Sequence, residues 1–191
     1  SLNFHKYGYW IAGEKTDAEM LALAESEYFG KWPMGYTIEE ARQVWLNARG
    51  KLLPVINSES NFNAAWENGT DPRIQQMVGA VWTALVLRMG ILNGLRYNIY
   101  YSFSSSASYG QTTPTGGAGF GMINSDDNGP WYPYYVQYML GSSLGVGDSL
   151  VEIASSSEDV RTFAWIHNGT LNIFLICKVD QPRTLHLQGV T

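Results

Sequence analysis

The sequence predicts an α/β fold, three consecutive βα units followed by a small antiparallel β-domain, and three observations carry that expectation. Leu52 to Ile56 is an apolar run without alternation, the pattern of a strand covered on both faces in a parallel sheet. Met77 to Leu92 is apolar nearly all round, so a helix there must be flanked on both sides. Beyond the Gly and Ser linker at 141–147 the rhythm changes to short strands joined by tight turns. The boundary falls between residues 142 and 143, giving a βα domain over 1–142 and a β-strand accessory domain over 143–191.

The elements follow in order. Ser1 to Tyr7 reads as a strand with Leu2 and Phe4 on one face, and Gly8 bends the chain after it. Thr16-Asp17-Ala18-Glu19 is a capping box that opens a helix running to about Phe29, before Gly30 and Pro33. Thr37-Ile38-Glu39-Glu40 repeats the signal, and Ile38, Ala41, Val44, Trp45 and Ala48 keep helical spacing up to Gly50. The glutamates at 25, 27, 39 and 40 belong to the solvated faces of these helices. The apolar strand at 52–56 then ends at Glu59, and 60–70 is a loop. Asp71-Pro72 opens the long helix, with Asp capping and Pro in the first turn. Leu95 to Phe103 is β-rich, and Pro130 to Leu140 is a final helix rich in Tyr. In the tail, strands are expected at 150–154, 161–167, 171–179 and 184–187, and Asn168-Gly169 between two of them is a strong hairpin signal.

Composition narrows the function classes. A net charge of -5 with only 12 Lys and Arg argues against a nucleic-acid partner. No run of about 18 apolar residues exists, so no membrane span is expected. The glycine and threonine loop at 110–121 lacks the lysine and the strand-to-helix spacing of a phosphate cradle. His5, His167 and His186 are scattered, and Asp126-Asp127-Asn128-Gly129 lacks the distal acid of a calcium loop, so neither a metal nor a cofactor is expected. Cys177 sits in an apolar strand pattern, which reads as a core residue. Asn68-Gly69-Thr70 and Asn168-Gly169-Thr170 are glycosylation triplets, and with the low charge they lean toward an extracellular or cell-surface protein. Aromatic residues make up 14% of the chain, and their flat faces suit sugar rings. Trp45, Trp82 and Trp165 read as core.

Glu59 is the candidate reactive group. Ligands and catalytic groups gather at the carboxyl ends of parallel strands, and a carboxylate there is either such a group or an ordinary solvated acid. His5 and Tyr7, at the end of the first strand, can hydrogen-bond a ligand and a neighbouring carboxylate. Asn61 and Trp66 lie in the segment after Glu59, and Tyr101 lies near the end of the third strand.

Asn3-Phe4-His5-Lys6-Tyr7, Val55-Ile56-Asn57-Ser58-Glu59, and Gly119-Phe120-Gly121-Met122-Ile123 with Pro133-Tyr134-Tyr135 together resemble the clan A retaining glycoside hydrolases. That clan includes β-xylosidases, α-L-iduronidases, arabinofuranosidases and many cellulases. The resemblance implies the C-terminal part of a (β/α)8 TIM barrel, about strands six to eight, followed by a small antiparallel β-domain in the form of a partial β-sandwich. It implies Glu59 as nucleophile, and His5, Tyr7, Asn61, Trp66 and Tyr101 as contacts for a carbohydrate substrate. Retaining enzymes pair the nucleophile with a second carboxyl about 5 Å away. In the clan that acid follows an Asn, and no Asn-Glu dipeptide occurs here. The general acid/base is then expected from a missing N-terminal part of the barrel, on the same or a separate chain. A non-catalytic carbohydrate-binding protein and a structural surface protein are the competing classes.

Overall fold

Thr16 and Thr37 each accept a hydrogen bond from the backbone N–H three residues on, and Glu19 and Glu40 reach back to the cap N–H, so both predicted capping boxes form. A computed structural model describes residues 2–9, 13–26, 37–64, 71–106 and 119–189. The first strand, β1, is Leu2–Tyr9. Helices α1, Asp17–Glu25, and α2, Ile38–Arg49, follow the two boxes, and Gly50 closes α2 with φ 68°. That left-handed position suits glycine because no Cβ meets the preceding carbonyl. Extended backbone at Ser26 ends α1 four residues short of the expected Phe29, and residues 27–29 lie outside the described residues.

Strand β2 is Val55–Asn63, longer than the apolar run suggests and polar in its second half. A short 3-10 turn, Pro72–Gln75, precedes α3, Met77–Leu92. Strand β3, Tyr97–Tyr100, completes a parallel sheet in the order β1-β2-β3. Two-residue strands β4, Ser104–Ser105, and β5, Ile123–Asn124, pair in parallel, and α4 is Tyr132–Gly141. Helix α3 packs on α1 and α4, which accounts for its apolar circumference. Trp82, fully buried, meets Phe62 of β2 edge-on at 6.3 Å between centroids.

The chain divides into two compact units, residues 1–143 and 144–191. In the second, β6, Ser149–Val151, β7, Val160–His167, and β8, Thr170–Cys177, make one antiparallel sheet. Asn168 and Gly169 take φ 49° and 78° in the β7-β8 turn, the left-handed pair a two-residue hairpin needs. Buried Phe163 stacks on buried Trp165 at 5.1 Å and tilts against half-buried Phe174 at 5.4 Å, forming the aromatic cluster of this unit.

The barrel expectation is overturned. The described residues hold four helices and three sheets, two of them parallel and the larger only three strands wide, an α/β mix far short of a (β/α)8 barrel. Alternating strands and helices dictate parallel pairing, but closure depends on strand number and stagger, which no local pattern encodes. The partial sandwich fails as well. Residues 184–187 form no strand, so among the described residues the second unit is a single sheet. Cys177 is exposed rather than core, because hairpin alternation places it on the face of β8 that also leaves Leu171 and Leu175 exposed. Trp82 and Trp165 are buried as expected, whereas Trp45 is half-buried with Arg49 over its ring at 5.6 Å.

Candidate active site

Strand β2 carries one residue more than its neighbours can pair. Phe4 and His5 of β1 oppose Asn57 and Glu59, and Asn98 and Tyr100 of β3 accompany Asn57 and Ser60, so Ser58 forms a bulge seen from both sides. Before it, Val55 and Asn57 face the helices; after it, Ser60 and Phe62 do. Strict alternation from Val55 would have turned Glu59 toward the helices. The bulge instead sets Glu59 on the open face, in register with His5.

Glu59 lies in the middle of β2, which runs on to Asn63, and not at the end of the strand as the apolar run had suggested. Its carboxylate is 37% exposed. The Tyr7 hydroxyl donates to Oε2 at 3.0 Å, and His5 Nδ1 lies 3.3 Å from the same oxygen. Among the described residues Oε1 has no hydrogen-bond partner, and no second carboxyl joins the network. Burial first, and then the hydrogen bond and charge of Glu59, hold the Tyr7 phenol well above its ordinary pKa. Tyr7 therefore remains a proton donor to the carboxylate.

The other predicted residues take different places. Asn61 is buried, and its amide is spent within the protein: Nδ2 donates to the carbonyls of Tyr101 and Phe120, and Oδ1 accepts from the Phe62 N–H at 2.6 Å. Tyr101, half-buried, packs its ring on Phe120 at 5.7 Å. Asn61 thus ties the end of β3 and the segment at 119–122 to the strand that carries Glu59. Trp66 lies outside the described residues, as do the Asn68 triplet and most of the glycine and threonine loop.

Two features escaped the sequence reading. The Ser58 bulge has a faint signal, the mismatch of parity between Val55 and Phe62, both of which must face the helices. Lys6 is only 5% exposed, and its ammonium donates to the Ser26 carbonyl at the end of α1; burial lowers its pKa to about 8. A lysine between Phe4 and Gly8 on the apolar face of a strand is the signal that could have found it.

Among the described residues no group of three or more His, Cys, Asp or Glu could hold a metal ion, and no helix is long and apolar enough to cross a membrane. Comparison with protein-family models and with curated protein sequences gives no match.

Proposed function

We propose that this chain carries the nucleophile of a retaining glycoside hydrolase acting on polysaccharides or oligosaccharides outside the cell. One arrangement carries the reading: a partly exposed carboxylate with one oxygen held by Tyr7 and His5 and the other without a partner among the described residues. The Tyr7 hydroxyl and His5 on Oε2 fix the orientation of the group, as a nucleophile requires. In the glycosylation step Oε1 attacks the anomeric carbon, the bond from that carbon to the leaving oxygen breaks, and the leaving group departs with the electron pair. A carboxyl outside the described residues, on this chain or a companion polypeptide, protonates natural leaving groups and then activates water to release the sugar.

The test uses 2-deoxy-2-fluoro glycosides with a dinitrophenolate leaving group. Dinitrophenolate is so weak a base that it leaves without an acid, so labelling does not depend on the second carboxyl. A glycosyl adduct on the Glu59 peptide supports the proposal. A chain that binds neutral sugars and forms no adduct with any of a panel of such glycosides would sink the nucleophile assignment.

A second reading, a non-catalytic carbohydrate-binding module, is favoured by the lack of a paired carboxyl among the described residues. The half-exposed Tyr97 ring on the same open face fits that reading too. Sugar affinity that survives Glu59→Gln, without labelling of the native chain, is its signature.

A further inference from the structure

We propose that Asn168 is an acceptor for an N-linked glycan. The triplet Asn168-Gly169-Thr170 forms the tip of the β7-β8 hairpin, and all three residues are exposed. Asn93-Gly94 and Asn128-Gly129 have the same dipeptide, but Leu95 and Pro130 stand where the acceptor motif needs a hydroxyl. At the Asn168 tip both turn residues take left-handed backbone, and of the two only Asn168 carries a side chain.

The Asn168 amide donates to His167 Nε2 at 3.0 Å, and His167 Nδ1 lies 3.0 Å from Asp148. An amide nitrogen has two hydrogens, so it keeps one for His167 after the other is replaced. The Nδ2 nitrogen bonds to C1 of a lipid-linked oligosaccharide and loses a proton, the C1–O bond to phosphate breaks, and the polyprenyl diphosphate leaves. A bulky hydrophilic group here would also guard a sheet that leaves Ile166, Leu171 and Leu175 exposed, with β8 at its edge.

The inference is independent of the role of Glu59. Its test is translation of the chain, behind a secretory leader, in the presence of eukaryotic microsomes. The N68Q variant isolates the Asn168 triplet. A mobility shift that a peptide N-glycosidase removes, and that is lost in N68Q/N168Q and in N68Q/T170A, is expected. Protease-protected, translocated N68Q chain with no shift would overturn the proposal.

Discussion

The two faces of the parallel sheet share the same three strands and do opposite work. Toward the helices, Phe4, Lys6, Gly8, Val55, Asn57, Ser60, Phe62 and Tyr100 are all buried. On the open face, His5, Tyr7 and Glu59 remain partly exposed. Substitutions on the covered face should therefore be felt as stability, and those at His5, Tyr7 and Glu59 as chemistry. The difference teaches that a single bulged residue decides which regime a side chain enters.

The largest expected effect is on the open face: Glu59→Gln abolishes adduct formation with the fluoro-glycoside, read by mass spectrometry. Its denaturation midpoint should shift by the equivalent of no more than about 1 kcal/mol, since the group is only partly buried. A large loss of stability would mean that Glu59 is structural and that the two faces are not functionally distinct.

Next comes the layer that supports the covered face. Asp71 is buried, receives the Gly13 N–H at 2.9 Å and Arg73 Nη2 at 2.7 Å, and Arg73 also reaches Asp17 at 2.6 Å. Burial alone would raise the Asp71 pKa, but the Arg73 guanidinium and the two N–H donors outweigh it and leave it lowered. Asp71→Asn leaves Arg73 only the exposed carboxylate of Asp17 and should cost about 1.5–3 kcal/mol in urea denaturation. The carboxylate's contribution is present above the unfolded pKa of 3.8 and is lost as pH falls through the lower folded value.

Lys6 sharpens the contrast through pH. Its folded pKa of about 8 lies below the ordinary 10.5, so the unfolded chain binds the proton more tightly. Stability should rise between those two values and fall back as pH drops through 8, by at most about 3.5 kcal/mol at about 1.4 kcal/mol per unit. Lys6→Met should flatten that rise, measured by urea titration at several pH values. A rise of unchanged size in the variant would assign it to another group.

Gly8 has a smaller expected effect. A Cβ there would run into the Phe62 carbonyl oxygen and the Met20 methyl group. Gly8→Ala should cost about 1–3 kcal/mol in thermal or urea unfolding, because the carbonyl belongs to the paired strand and has little room to shift. Smallest is Tyr7→Phe, which removes one donor from a partly exposed carboxylate and should cost about 1 kcal/mol of stability. Its labelling rate should fall while that of a variant on the covered face does not. Equal labelling rates for Tyr7→Phe and the native chain would remove Tyr7 from the site.

Much of the local structure was legible because its causes are local. Thr16 with Glu19 and Thr37 with Glu40 satisfy the first N–H groups of a helix whatever surrounds them. Gly50 and Asn168-Gly169 supply backbone conformations that other residues resist. The meeting of His5, Tyr7 and Glu59 was likewise anticipated, since neighbouring parallel strands bring their carboxyl halves together. The extent of β2 was not. Asn57 to Asn63 has the composition of a loop, and it is a strand because the amides of Asn57, Asn61 and Asn63 find partners on β1, β3 and the segment at 119–122.

The sequence by itself determined the starts of α1 and α2, the hairpin, the parallel pairing and the identity of the carboxylate at its centre. Those depend on hydrogen bonds and backbone preferences within a few residues, or on apolar patterning along one element. Only the tertiary structure decided that the sheet is open rather than closed, that Lys6 is buried and that Glu59 faces outward. Each of these depends on how many residues two neighbouring strands offer for pairing, which no single segment can specify.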